Sequence, residues 1–204
     1  MQRKYQMYKR CVMDTTDLDI VFDENGFCNH CTDALKKLNS YLLNLSAMEK
    51  EKELQKIVER IKVSGKNKDY DCVIGLSRGV DSAYVAYLVQ KIGLRPLVVH
   101  LDNGWNSELS VKNIENLLKK LNLTLNAVVL DWEEFKDLQL SFLKSSTPDL
   151  KIPTDNAINA VLYNIALKYK IKYIINWINI ITESIIAAIL KLIQLFNYNS
   201  IIRG

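Results

Sequence analysis

From residue 72 onward, short apolar runs alternate with longer segments whose apolar residues recur every three or four positions. Cys72-Val73-Ile74-Gly75-Leu76 reads as a buried strand, Ser77, Arg78 and Gly79 as a tight turn, and Val80 to Val89 as a helix. Gly93 ends that helix, and Leu97-Val98-Val99-His100-Leu101 is a second strand that stops at Asp102-Asn103-Gly104. A helix from Ser107 to Leu121 follows, with Val111, Ile114, Leu117, Leu118 and Leu121 predicted to face inward. Leu125 to Leu130 is a third strand and Trp132 to Leu143 a further helix. Pro148 and Pro153 punctuate an irregular connection, Asp155 to Tyr169 is helical, and Lys172 to Asn176 is a fourth strand. Strands and helices alternating at these lengths predict an α/β fold, a Rossmann-like parallel sheet with helices on both faces. Ligands of such sheets bind beyond the carboxyl ends of the strands. Four places gather there: Ser77 to Ser82, Asp102 to Gly104, Asp131 to Trp132, and Asn176 to Glu183.

The first third of the chain is patterned differently. Thr32-Asp33 is predicted to cap a helix in which Ala34, Leu35, Leu38, Leu42 and Leu45 recur at helical spacing. Met48 to Val63 then alternates Glu and Lys around Leu54, Ile57, Val58 and Ile61, so its charges read as a solvated helix face. Ser64-Gly65-Lys66-Asn67-Lys68 is a helix stop. The expected division is an N-terminal appendage over 1–66 and a main domain over 67–204.

Composition narrows the partners. The 204 residues are 49% apolar, enough for a real core, and the net charge is +4. Residues 1–70 hold 13 basic against 11 acidic side chains and residues 71–204 hold 14 against 12, so no concentrated basic face is predicted and nucleic acid is not an expected partner. Met1-Gln2-Arg3-Lys4-Tyr5 has no apolar stretch behind it that would make a signal peptide, so the cytoplasm is the expected compartment. Of four cysteines, Cys72 belongs to the core strand. Cys28 and Cys31 have the two-residue spacing with which consecutive thiolates grip one ion from a knuckle, and Cys11 is a third donor. The partner expected three residues before Cys11 is Tyr8, a poor zinc ligand. His30, flanked by both cysteines, is awkwardly placed to join the same ion. Three readings stay open: bound zinc, a degenerate site, and plain loop cysteines.

The turn after the first strand carries the strongest chemistry. Backbone N–H groups at a strand–loop–helix junction lack intrahelical partners and converge with the positive end of the helix dipole, so an anion, above all a phosphate, belongs there. Ser77-Arg78-Gly79-Val80-Asp81-Ser82 resembles the Ser-Gly-Gly-x-Asp-Ser pyrophosphate loop of the PP-loop ATPases, with Arg78 in place of the first glycine. The wider chain resembles the N-acetyl sugar amidotransferases of bacterial surface-polysaccharide (lipopolysaccharide, O-antigen) synthesis. The similarity covers residues 8 to about 184. It rests on Val12-Met13-Asp14-Thr15-Thr16-Asp17, Phe22-Asp23-Glu24-Asn25-Gly26-Phe27-Cys28-Asn29-His30-Cys31, His100 to Ser107, Asp131-Trp132-Glu133-Glu134-Phe135 and Ile152-Pro153-Thr154-Asp155.

That resemblance implies ATP-dependent conversion of an acetamido group on a nucleotide-linked sugar to an acetamidino group, with ammonia supplied by a separate glutaminase subunit. It implies ATP and Mg2+ as cofactors; zinc at Cys11, Cys28 and Cys31 stays an open reading of the cysteine spacing and not part of the resemblance. The nucleotide-binding set is Leu76, Ser77, Arg78, Gly79, Val80, Asp81, Ser82, Asp102, Asn179 and Thr182. Ser77 and Ser82 hydroxyls would donate to phosphate, Arg78 would neutralise developing charge, and Asp81 would ligate magnesium. Asp102 would hold ribose, metal or sugar, or merely cap a helix. Thr154-Asp155 reads otherwise as a helix cap, His100 as a satisfied core histidine rather than a base, and Trp105 as either a stacking or a packing residue. A PP-loop enzyme acting on transfer RNA would share the loop but would want a basic surface.

The end of the chain departs from that family. Asn179, Thr182, Glu183 and Ser184 are kept, but Trp177 and Ile178 stand where small residues are expected beside the nucleotide. Ile185 to Phe196 is almost wholly apolar, too short and interrupted for a membrane span, and suggests association, including with a second copy. The expectation is a C-terminally shortened product, with a nucleotide-binding fragment without turnover as the alternative to an active amidotransferase.

Overall fold

A computed structural model describes residues 4–8, 10–39, 41–77, 79–147 and 149–178. Arg78, Pro148, Asn179, Thr182, Glu183, Ser184, the Ile185 to Phe196 stretch and the side chain of Leu42 lie outside the described residues. The chain forms two compact units, one containing Met1–Glu51 and the other Lys52–Trp177.

In the second unit, β1 (Cys72–Gly75), β2 (Pro96–Asp102), β3 (Leu125–Val129) and β4 (Ile174–Ile175) form a parallel sheet in the order β3-β2-β1-β4. Parallel strands need crossover helices. Here these are α4 (Val80–Lys91), α5 (Glu108–Leu121), α6 (Trp132–Lys144) and α7 (Ile152–Lys168), preceded by α3 (Ala47–Gly65). The expected Rossmann-like α/β architecture is present. Successive strands step outward from β1 to β3, and β4 then pairs on the other side of β1. The carboxyl end of β1 is therefore the point at which the strand order reverses and a crevice opens.

The two faces of β1 explain its unbroken apolar sequence. Cys72, Ile74 and Leu76 pack with Val58 and Ile61 of α3, Ala86 and Val89 of α4, and Ile114 and Leu118 of α5. Val73 faces the other way, with Leu97 and Val99 of β2 and Leu162, Ile165 and Ala166 of α7. Burial pushes the Cys72 thiol up to about 12, which suits a core residue and not a nucleophile. Val111 departs from its predicted inward position and is 41% exposed, because α5 turns only Ile114 and Leu118 fully inward. β3 is half-exposed along its length, as an edge strand can be.

An ion pair ties the lower end of this unit together. The Asp71 carboxylate is buried and accepts from the Arg95 backbone N–H at 2.8 Å, from Nε at 3.2 Å and from Nη2 at 2.6 Å. Arg95 also donates to the carbonyls of Lys68 at 2.7 Å and Gly65 at 2.9 Å. Burial alone would raise the Asp71 pKa; the hydrogen bonds and charge of Arg95, aided by Lys62, outweigh it and hold the carboxyl below its ordinary value. A Cβ at Gly65 would run into Asp71, so the glycine that stops α3 also admits the carboxylate.

Helix ends follow local chemistry, and two differ from expectation. Ser107 and Asp131 cap α5 and α6 by accepting from Ser110 N and Glu134 N. α7 starts at Ile152 rather than at Asp155, with Pro153 in its first turn, so Thr154 and Asp155 are helical residues and not its cap. In the first unit, α1 (Asn29–Leu38) starts three residues before Thr32-Asp33. Its N-cap is Cys28, because the sulfur accepts from Cys31 N at 3.4 Å. A short α2 (Tyr41–Asn44) follows.

Candidate functional site

Gly75 closes β1, and the chain then turns through Ser77 and Gly79 into α4. The fully buried Ser82 hydroxyl braces this turn. Its oxygen accepts from Ser77 N at 3.1 Å, and lies 3.1 Å from the Ser77 carbonyl, 3.0 Å from the Gly79 carbonyl and 2.9 Å from Ser77 Oγ. Ser82 has one proton to donate and these neighbours take it, so its role is to hold the loop's shape. Ser77 is only half-buried, and its Oγ accepts from Gly79 N at 3.2 Å. The N-cap of α4 is Gly79, whose position carries no side-chain cap, and Val80 and Asp81 in the first turn are exposed. This arrangement suits a phosphate. Leu76 contributes its backbone instead of its buried side chain: its N–H donates to Val99 and its carbonyl takes a 2.8 Å hydrogen bond from His100 Nδ1.

Beside the loop lies a cavity of about 80 Å³, lined by residues that include Gly75, Ser77, His100, Asn103, Thr154 and Trp177. The structure thus brings together the ends of β1 and β2, the first turn of α7 and the segment after β4. His100 is buried, as a satisfied core histidine should be, with Nδ1 donating to Leu76 and Nε2 3.4 Å from Asn106 Nδ2. Asn106 Oδ1 is buried with no hydrogen-bond partner among the described residues, an acceptor left over at the edge of the site. Asp102 does not cap α5; its Oδ1 accepts from Gly104 N at 3.0 Å and folds the loop back. Trp105 is 59% exposed, donates to Gln139 Oε1 at 2.8 Å and meets Trp132 edge-on at 5.4 Å between ring centroids. Gly104, at φ +81, is required both by its backbone and by the Trp132 ring that occupies the place of a Cβ.

Trp177 shapes the crevice most. Its six-membered ring sits where a Cβ on Gly75 would be, closing the cavity over the last residue of β1. Pockets that hold drug-sized ligands are on the order of 300–1,000 Å³. With the indole in this place, the cavity beside the loop is smaller than such pockets. Sequence reasoning flagged Trp177 and, through the Asp102 to Gly104 turn, Asn103, but assigned nothing to Gly75 or the α7 residues Ile158, Val161 and Leu162. The signal for Gly75 was present, since a glycine inside an apolar strand marks close approach by another group.

In the first unit, the sulfur atoms of Cys11, Cys28 and Cys31 all lie within 4.8 Å of one another. Burial, reinforced by hydrogen bonds with Cys11 and Cys28, pushes the Cys31 thiol up to about 12. Burial would raise Cys11 too, but hydrogen bonds from the Met13 backbone and from Cys31 and Cys28 outweigh it and place that thiol below its ordinary value. His30 turns away, with Nε2 2.7 Å from Asp17 Oδ2.

No helix among the described residues is long and apolar enough to cross a membrane. No curated protein matches the chain. Solved structures similar to it include an NH3-dependent NAD synthetase from Campylobacter jejuni, 21% identical over 63% of this chain and 56% of that one with a TM-score of 0.46. An NMN synthetase from Francisella tularensis is 26% identical over 61% and 52% with a TM-score of 0.41. A glutamine-dependent NAD+ synthetase from Acinetobacter baumannii is 17% identical over 56% and 22% with a TM-score of 0.44. The chain spans about half the length of the first two and less of the third. The NAD synthase family model matches residues 49–172, which hold the sheet from β1 to β3, the Ser77 loop and α7. With that match running through more than half of its length, the chain belongs to the NAD synthase family within the PP-loop ATPase superfamily.

Proposed function

We propose that the chain is the ATP-using part of an N-acetyl sugar amidotransferase, which activates an acetamido group on a nucleotide-linked sugar for replacement of its oxygen by ammonia. The observation that carries the reading is the braced Ser77–Ser82 turn between β1 and α4, at the point where strand order reverses. An amide oxygen is a poor leaving group, and ATP, when bound, supplies the adenylyl group that makes it a good one. The chain's part is to position and neutralise. Loop N–H groups and the α4 dipole hold the departing pyrophosphate. Ser82 keeps those groups aimed, while Ser77 Oγ donates to a phosphate oxygen. Asp81, exposed at the first turn of α4, holds Mg2+, and Arg78 balances charge on the phosphates. Asn179 and Thr182 complete the nucleotide contacts. Asp102 accepts from hydroxyl groups of ribose or sugar. In this reading residues 67–204 carry the ATP site, 1–66 form an appendage apart from α3, whose Val58 and Ile61 belong to the core around β1, and a glutaminase subunit delivers ammonia.

Two other readings each have an observation in their favour. The family match favours amidation of the carboxylic acid precursor of NAD. The Trp177 ring over Gly75 favours a protein that binds nucleotide without turning it over. One experiment separates all three: incubate the full chain with Mg2+, ATP and ammonium, adding a nucleotide-linked diacetamido sugar or the acid precursor of NAD, and measure AMP. AMP formed only with the sugar is expected. AMP formed only with the acid assigns NAD synthesis, and ATP binding with no AMP in either tube assigns binding alone.

A further inference from the structure

The family match begins at residue 49 and leaves the cysteine cluster of the first unit unaccounted for. Two separate turns build that cluster. One is a hairpin closed by the Met7–Asp14 bridge, in which Tyr8 N donates to Met13 and Val12 N to Tyr8, with Val12 at φ +54. It delivers Cys11. The other is the Asn25-Gly26 turn closed by the Phe22–Cys28 bridge and leading into α1, which delivers Cys28 and Cys31.

Distances fit a metal better than either a disulfide or ordinary packing. Cys11 and Cys28 sulfurs are 3.4 Å apart, far beyond a bond of about 2.05 Å. Four ligands at about 2.3 Å around tetrahedral zinc sit about 3.8 Å from one another. The three sulfurs, at 3.4 Å for one pair and within 4.8 Å for all, bracket that spacing. The N–H of Cys31 already points at the Cys28 sulfur from the first turn of α1, where the helix dipole favours an anionic ligand. Among the described residues, Cys28 and Cys31 are themselves half of the buried cluster of this unit, with Tyr8 and Ile20, so a metal held there would staple its core.

The fourth ligand is the distinctive feature. Tyr8 stands three residues before Cys11, and its ring is committed to packing against Phe22 and Phe27 at 6.5 and 5.8 Å between centroids. His30 is committed to Asp17. We propose that Cys11, Cys28 and Cys31 bind one Zn2+ through three thiolates, with the fourth position taken by water or a small anion rather than by Tyr8 or His30. Each thiol gives its proton to solvent as its sulfur–zinc bond forms, so loading releases protons and is weakened by acid. The site is then an exchangeable one that also accepts an added thiolate.

The test is a Co2+ titration of the reduced full chain, followed by displacement with Zn2+. One equivalent of Co2+ is expected to give tetrahedral d–d bands with thiolate-to-cobalt charge transfer, bleached by one equivalent of Zn2+. Cys11→Ser is expected to weaken binding roughly tenfold or more. Tyr8→Cys is expected to tighten it and to raise the charge-transfer intensity by about a third, as a fourth thiolate joins three. A folded wild type with no thiolate charge-transfer band overturns the proposal. So does a Tyr8→Cys variant that binds where the wild type does not, or one whose band is no stronger than the wild type's.

Discussion

The unit from Lys52 to Trp177 spreads its core over both faces of a sheet, with eleven buried residues on one side and seven on the other. Among the described residues, the unit up to Glu51 gathers one buried cluster of four, two of them cysteines. In the larger unit stability is a sum of many small apolar contacts, so the functional turn can be spared from the core and left at its edge. In the smaller one the same sulfur atoms must serve as core and as site.

Matched truncations at the two cores should break or confirm this contrast with the largest effect. Ile74 and Ile20 are both fully buried. Ile74→Ala should cost about 4 kcal/mol in urea unfolding, near the top of the range for such deletions, because neighbours on three helices prevent collapse. Ile20→Ala should cost about 2 kcal/mol, since a sparse core relaxes into the gap. Equal costs would remove the distinction.

Arg95→Ala probes the polar clamp of the larger unit. It leaves the Asp71 carboxylate buried without its partner and should cost about 3 kcal/mol. The wild-type clamp should also give a characteristic acid response. The folded pKa of Asp71 is lowered, so its contribution is complete above the ordinary carboxyl value of 3.8 and is lost as pH falls from there through the folded value. In Arg95→Ala that acid-sensitive component should vanish from the stability–pH curve.

At the loop, Asp81→Asn should weaken Mg2+-dependent ATP binding roughly tenfold or more, a loss of about 1.4 kcal/mol per decade. Unchanged affinity would take Asp81 out of the metal role. Trp177→Ala should act in the opposite direction, improving ATP affinity several-fold, or about 1 kcal/mol, by opening the space over Gly75. If affinity falls instead, the indole is a wall of the nucleotide site and not an obstruction. The smallest effect belongs to Val111→Lys, which should change stability by no more than about 0.5 kcal/mol because that face of α5 meets solvent.

The alternation of apolar runs and helical segments determined the α/β class and most of the element order, because strand and helix periods are local properties that a linear pattern records. It also placed the Ser77 turn, since a loop between a buried strand and a helix is recognisable from its residues. Where helices begin was less legible. Cys28 caps α1 through its sulfur and α7 begins upstream of Thr154 with Pro153 in its first turn, and both depend on which donors the folded backbone leaves without partners. Only the tertiary structure decided what each polar group does. Ser82, which reads as a phosphate donor, is spent inside its own loop, and Asp102 is folded back on Gly104. Trp177 and Gly75 are 102 residues apart in the chain, and only the pairing of β4 beside β1 makes one ring the roof over the other. The three cysteines follow the same rule: spacing offers Cys28 and Cys31 as a pair, but a hairpin and a capped helix must close before Cys11 can join them.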